Sequence, residues 1–256
     1  MMPGHKSTWR DAAAIVIGSR NTWSDQPPEL LDKCFYIPEN GIDPHRFQVT
    51  RTRVASRPIR AVFVGRLVPY KGPDMLLEAA APLIKSGDLT LDIIGDGPMK
   101  LALDQLIASL GIGNGARMCG WINHLDLPAR LAEMDLLTFP SIREFGGAVV
   151  LEAMAVGVVP IVVDYGGPGE LATNETGFMI SLGTGDQIIG SMRAILSELV
   201  KNPKLIDDRS PLARRRVEEI FTWPIKAKQV MKVYEWLCRP GANKPPFLPH
   251  GNIPSF

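Results

Sequence analysis

The chain has 256 residues, 45% of them hydrophobic and 21% charged, and 28 Lys and Arg against 27 Asp and Glu leave a formal net charge of +1. That is the composition of an ordinary globular protein with ample length to bury a core, and so balanced a charge argues against a partner nucleic acid held by a basic surface. Three widely spaced cysteines, Cys34, Cys119 and Cys238, with no CxxC pair, argue against a disulfide frame or a zinc site and for a reducing compartment.

In chain order, Met1 to Lys6 lacks the apolar stretch of a signal peptide, and Ala12 to Ile17 reads as a lone buried strand. Glu29 to Lys33 reads as the end of a helix and Cys34 to Ile37 as another strand, neither with an obvious partner in the first 58 residues. From residue 59 the pattern becomes regular: strands at Ile59–Val64, Leu89–Ile94, Ala116–Cys119, Leu136–Phe139 and Val158–Val163. Helices are expected at Pro73–Lys85, Met99–Leu110, Leu125–Met134 and Ala148–Val156. Strands alternating with helices predict an α/β fold, a Rossmann-like, doubly wound parallel sheet. The apolar runs at Ala12–Ile17 and Val158–Val163 are strand-sized, far short of the roughly 18 residues of a membrane span. After Asp186 the chain turns helical through Phe221 and again from Pro224 to Leu237. From Arg239 a tail with five of the 22 prolines reads as extended or disordered. The run Arg214-Arg215-Arg216, followed by Glu218 and Glu219, reads as a solvated helix face.

Doubly wound sheets bind ligands beyond the carboxyl ends of their strands, so the loops there carry the functional expectations. The first, Gly65-Arg66-Leu67-Val68-Pro69-Tyr70-Lys71-Gly72, places two cations where a diphosphate could be gripped, or simply solvated. The second, Gly95-Asp96-Gly97-Pro98, begins like a dinucleotide fingerprint, but Lys100 stands where the third glycine should be, and turn chemistry explains it. In the third, Pro140 to Met154, Gly146 and Gly147 open a helix whose free N–H groups suit an anion. Glu144 and Glu152 flank that helix start, and an ionised carboxylate accepts hydrogen bonds from vicinal hydroxyls. Equally, Glu144 could answer only the helix dipole and Glu152 be an exposed helical residue. The fourth, Tyr165-Gly166-Gly167-Pro168-Gly169-Glu170, reads as a tight turn or a close approach of backbone.

Together these residues resemble the nucleotide-binding half of GT-B glycosyltransferases of family 4, the "glycosyl transferases group 1" type. The likeness rests on Ile37-Pro38-Glu39-Asn40-Gly41-Ile42-Asp43, Phe63-Val64-Gly65-Arg66 with Lys71-Gly72, and Gly95-Asp96-Gly97-Pro98. Glu144 and Glu152 at the family's E-x7-E spacing, then Gly166-Gly167 with Glu170, complete it. The resemblance implies retaining, metal-independent transfer of a sugar from a UDP- or GDP-sugar, with no cofactor. It implies Arg66, Lys71 and Glu144 as the catalytic group: Arg66 and Lys71 on the diphosphate, Glu144 on the sugar hydroxyls. Donor binding would add Gly65, the amides of Phe145, Gly146, Gly147, Ala148 and Val149, Glu152 on the ribose diol, and the backbone near Trp121 and Ile122 against the base. The acceptor (lipid, polysaccharide, protein or small molecule) is not legible.

One departure is large. The resemblance implies two similar domains, and here residues 1–37 look like the remnant of the first, acceptor-binding one. Residues 38–58 would link it to a nucleotide-sugar-binding domain over 59–200, followed by C-terminal helices over 201–238 and a Pro-rich tail over 239–256. None of His5, His45, His124 and His250 matches the family's acceptor-side histidine motif. The chain is therefore expected to need a missing N-terminal domain or a partner chain, to expose core near residues 9–35, and to bind a donor better than it turns one over. A non-enzymatic nucleotide-sugar-binding subunit and an NAD-dependent oxidoreductase are the alternative readings. The expected place is cytoplasmic, with a peripheral position at the inner face of the membrane open to the full-length protein.

Overall fold

The computed structural model describes residues 5–239 and 241–249. The first four residues and much of the tail, Pro240 and 250–256, thus lie outside the described residues. The chain divides into two compact units, one within Met1–Gly41 and Glu219–Phe256, the other Ile42–Glu218.

The first unit begins with α1 (His5–Asp11), β1 (Ile15–Ile17), α2 (Arg20–Ser24), a 3-10 turn over Pro28–Lys33 and β2 (Cys34–Tyr36). The expectation that the early strand has no partner is corrected: β1 and β2 pair in parallel, Ile15 to Cys34 through Ile17 to Tyr36. A parallel pair needs a crossover of about a dozen residues, and α2 with the 3-10 turn supplies it. The strand is also shorter than expected, and its centre is not buried, since Val16 is 51% exposed.

The second unit holds the doubly wound sheet. Its elements are β3 (Ile59–Val64), α3 (Pro73–Lys85), β4 (Leu89–Ile94), α4 (Lys100–Leu110), β5 (Ala116–Gly120), α5 (Leu127–Ala132) and β6 (Leu136–Phe139). They continue with α6 (Ala148–Ala155), β7 (Val159–Val163), α7 (Gly166–Leu171), β8 (Phe178–Ile180), α8 (Gly185–Lys201) and α9 (Lys204–Ile220), the last running into the first unit. All six strands are parallel, in the order β5-β4-β3-β6-β7-β8. Helices cover both faces of such a sheet, so its inner strands read as continuous apolar runs; β6 and β7 are buried at every position. Pro160, unusual in a central strand, precedes the β8 register, which starts at Ile161 opposite Phe178.

In this unit two elements escaped the sequence reading, as α1 and α2 did in the first. Gly166–Leu171 is a helix rather than a turn, with Pro168 in its first turns, and Phe178–Ile180 adds a sixth strand. The arginine run on α9 is only partly a solvated face. Arg214 pairs with Glu218 at 2.7 Å, but Arg216 donates to the Leu171 carbonyl at 2.8 Å, closing the end of α7.

The first unit resumes with α10 (Trp223–Cys238). Val233 and Phe247 join Phe35 and Ile37 in a buried cluster, and the Phe247 carbonyl accepts the Tyr36 N–H at 2.9 Å. The described part of the tail is therefore extended but tied down. Helix α10 also buries Lys226, 5% exposed, whose Nζ stands 5.0 Å above the Phe221 ring and finds no hydrogen-bond partner among the described residues. Burial lowers its pKa to about 7. Below that pH the folded state carries an unpaired buried charge. Between about 7 and the unfolded value of 10.5 the unfolded chain binds the extra proton, so stability rises with pH. Lys226→Met is expected to raise stability at pH 6 by about 1–3 kcal/mol and to flatten that rise, as urea unfolding at pH 6, 8 and 9.5 would show.

Candidate functional site

Sheet order reverses at β3 and β6, neighbours whose connections run to opposite sides, and the crevice beyond their carboxyl ends is where such folds hold ligands. A cleft of about 440 Å³ lies there, reached by the loops after β3, β4, β5 and β6.

The loop after β3 turns through Pro69–Lys71 and is tied to the loop after β6 by Ile142 N–H and Ser141 Oγ, which donate to the Tyr70 carbonyl at 3.0 and 3.3 Å. That brace brings Lys71 against Glu144, where the two form an ion pair, and puts Lys71 Nζ 4.9 Å above the Phe139 ring. Burial, and then the like charge of Arg66, hold the Lys71 ammonium below the ordinary lysine range. The Arg66 side chain is exposed at the cleft and makes no hydrogen bond or ion pair among the described residues. The loop after β4 braces this arrangement, since Leu67 N–H donates to Asp96 O at 2.9 Å and Met99 N–H to Leu67 O at 3.1 Å. Its supporting role was legible; that Gly95 and Asp96 also line the cleft was not.

Helix α6 starts at Gly147, in the left-handed region at φ +71°, where a Cβ would stand 2.9 Å from the Pro168 ring. Its amide donates to Glu144 Oε1 at 3.3 Å, while the Ala148 and Val149 amides have no acceptor among the described residues, and both residues line the cleft. Gly167, at the start of α7, lets that helix approach so closely that a Cβ would lie 2.2 Å from the Gly146 carbonyl. Its glycines thus serve a helix packed under the site loop rather than a turn.

Glu152 sits one turn into α6 and is 8% exposed, so the reading of an exposed helical residue fails. Its Oε1 is 2.8 Å from His124 Nε2, and His124 Nδ1 is 2.9 Å from Arg46 Nη2. His124 follows β5, and its link to Glu152 had no local signal, because the two stand 28 residues apart. Of the expected donor residues, Gly65, Arg66, Lys71, Ile122, Glu144, Gly147, Ala148, Val149 and Glu152 line the cleft. Phe145, 60% exposed, and Gly146 do not. Trp121, 73% exposed, stands at the rim beside Ile122.

The cleft brings two carboxylates, two cations and a helix N-terminus to the switch point of a Rossmann-like parallel sheet of the GT-B C-terminal type. The family profile of glycosyl transferases group 1 matches residues 47–208, and the chain belongs to that family. It is 28% identical over 220 residues to the glycosyltransferase MJ1607 of Methanocaldococcus jannaschii, covering 81% of this chain and 55% of that protein. Among solved structures, the C-terminal domain of a group 1 family glycosyltransferase, LpcC, from Francisella tularensis superposes with a TM-score of 0.59 at 22% identity, over 70% of this chain and 97% of that one. Anabaena HepE in complex with UDP and glucose superposes with a TM-score of 0.71 at 21% identity, over 90% of this chain and 65% of that one. The chain spans about half the length of the curated relatives it matches. No helix among the described residues is long and apolar enough to cross a membrane.

Proposed function

We propose that this chain is the donor-binding half of a retaining, metal-independent glycosyltransferase that takes its sugar from a nucleotide-diphosphate sugar. The observation that carries it is the convergence of Lys71, Arg66, Glu144, Glu152 and the free α6 amides in one cleft. Arg66 and Lys71 take the diphosphate and stabilise the departing nucleotide, aided by the Ala148 and Val149 amides at the helix N-terminus. Glu144, held by the Gly147 amide, receives the sugar, without the Phe145 and Gly146 amides, which lie outside the cleft; Glu152 receives the ribose diol; Trp121 and Ile122 border the base. Glu144 is given no nucleophilic role. UDP is the first candidate, because the HepE structure holds UDP and glucose. The acceptor side belongs to a further domain or chain, so the 256 residues alone bind a donor better than they transfer from it.

Thermal unfolding in EDTA with UDP, GDP, ADP, their sugar conjugates and NADH tests this reading. One nucleotide diphosphate at 100 times its dissociation constant should add about 2.7 kcal/mol of stability. Arg66→Ala and Glu152→Ala should abolish the shift. A shift with NADH alone, or with nothing, would overturn the proposal.

A further inference from the structure

His124 is unassigned by the reading above, yet it is the side chain that touches Glu152. It does not serve packing, since its side chain is 53% exposed and Arg46 is exposed as well. Exposed polar contacts of this kind add little to stability. What the arrangement does define is direction. A guanidinium can only donate, and Arg46 Nη2 meets His124 Nδ1 at 2.9 Å and the His124 carbonyl at 3.4 Å. Nδ1 must therefore present its lone pair, which leaves the ring proton on Nε2, 2.8 Å from Glu152 Oε1. The imidazole thus donates to the carboxylate in one tautomer set by a residue on a distant segment.

A glutamate carboxylate needs such an anchor. Its last torsion is broad, so an unheld carboxylate rotates about its own axis. A vicinal diol requires two acceptor directions at a fixed spacing. One hydrogen bond on Oε1 still leaves three of the roughly four acceptor sites of the group.

We infer that His124, held in its Nε2–H tautomer by Arg46, is a positioning residue that aims the Glu152 carboxylate at the ribose hydroxyls of the donor. This rests on the assignment of Glu152 to the ribose.

The test is a cycle on the chain as it stands. Calorimetric affinities for UDP, 2′-deoxy-UDP and 3′-deoxy-UDP are measured in the unsubstituted protein and in His124→Ala, His124→Gln, Arg46→Ala and Glu152→Ala (with the guanosine set if GDP is the nucleotide that binds). His124→Ala should weaken UDP about 10-fold and shrink its advantage over the deoxy nucleotides towards the value in Glu152→Ala. His124→Gln, which can still donate to Glu152, should restore most of that advantage, and Arg46→Ala should fall between. A merely structural histidine would change all three affinities alike and leave their ratio untouched, which would overturn the inference but not the donor reading. Tighter UDP binding by His124→Ala would also overturn it, showing that the ring competes with the ribose. If Glu152→Ala keeps the full ribose preference, or no nucleotide binds the unsubstituted protein, the donor reading itself falls, and this inference with it.

Discussion

Asp135→Ala is expected to cost about 3–5 kcal/mol of folding stability and to take the cleft with it. The carboxylate is fully buried and accepts from Arg51 Nη2 at 2.8 Å, from Arg53, and from the Arg60 backbone N–H at 2.9 Å. Arg51 is itself 8% exposed and would be left with Asp207 alone, at 3.1 Å. Removing Asp135 leaves the buried Arg51 cation with a single, partly exposed carboxylate, and that penalty exceeds the net worth of the pair. Asp135 also donates its N–H to Arg60 O at 2.8 Å and so ties the entry of β6 to the entry of β3. Those are the two strands whose far ends frame the cleft, so nucleotide binding should fall together with stability. Urea unfolding of Asp135→Ala and Asp135→Asn at low and high salt is the check. The loss should persist at high salt, because buried pairs are screened little. A cost under about 1 kcal/mol would mean that the network is a surface ornament.

Lys71→Met should weaken a nucleoside diphosphate about 100-fold, the loss of one charge-assisted contact, while leaving uridine nearly unaffected. The substitution also leaves the Glu144 carboxylate, among the described residues, with the Gly147 amide alone, at 3.3 Å, an uncompensated negative group facing the phosphates. Lys71→Arg should recover little, since a planar fork does not replace a compact ammonium seated over Phe139. The pH dependence has a definite sign. Affinity is held while Lys71 is charged and falls as pH rises through its pKa, which burial and Arg66 bring below 10.5. Isothermal titration from pH 7 to 10 should show this decline in the unsubstituted protein and a flatter curve in Lys71→Met.

The middle of the chain was legible because its strands are apolar runs cut by glycine and its helices begin with Pro73 or the Gly146-Gly147 pair. Such local signals suffice for five of the six strands of the main sheet. The sixth, β8, is three residues long and carries no periodicity of its own; it is a strand because β7 offers it an edge. Helix α7 was hidden by its glycines, which serve the close approach to Gly146 rather than a turn. The first unit was the least legible, because β1 finds its partner across a crossover and Phe247 finds Phe35 from the other end of the chain. At the cleft, Glu144 and Glu152 could be proposed from spacing. His124 and Arg46 could not, since a hydrogen bond spanning 78 residues leaves no trace in local pattern.

The Arg51–Asp207 contact has a consequence for the order in which the chain can assemble. The first unit is discontinuous, its parts separated by the stretch Ile42–Glu218, whereas that stretch is continuous. Bringing together two segments so far apart on a disordered chain costs on the order of 4–5 kcal/mol in loop-closure entropy. Asp207 clasps Arg51 and the Ala55 amide within the continuous unit, and so ties its early stretch to its late one. Once the sheet has formed, each segment diffuses only on a short tether, and the closure cost has already been met by the sheet. A continuous unit that formed first would spare the split unit around Phe35 and Phe247 most of that closure cost.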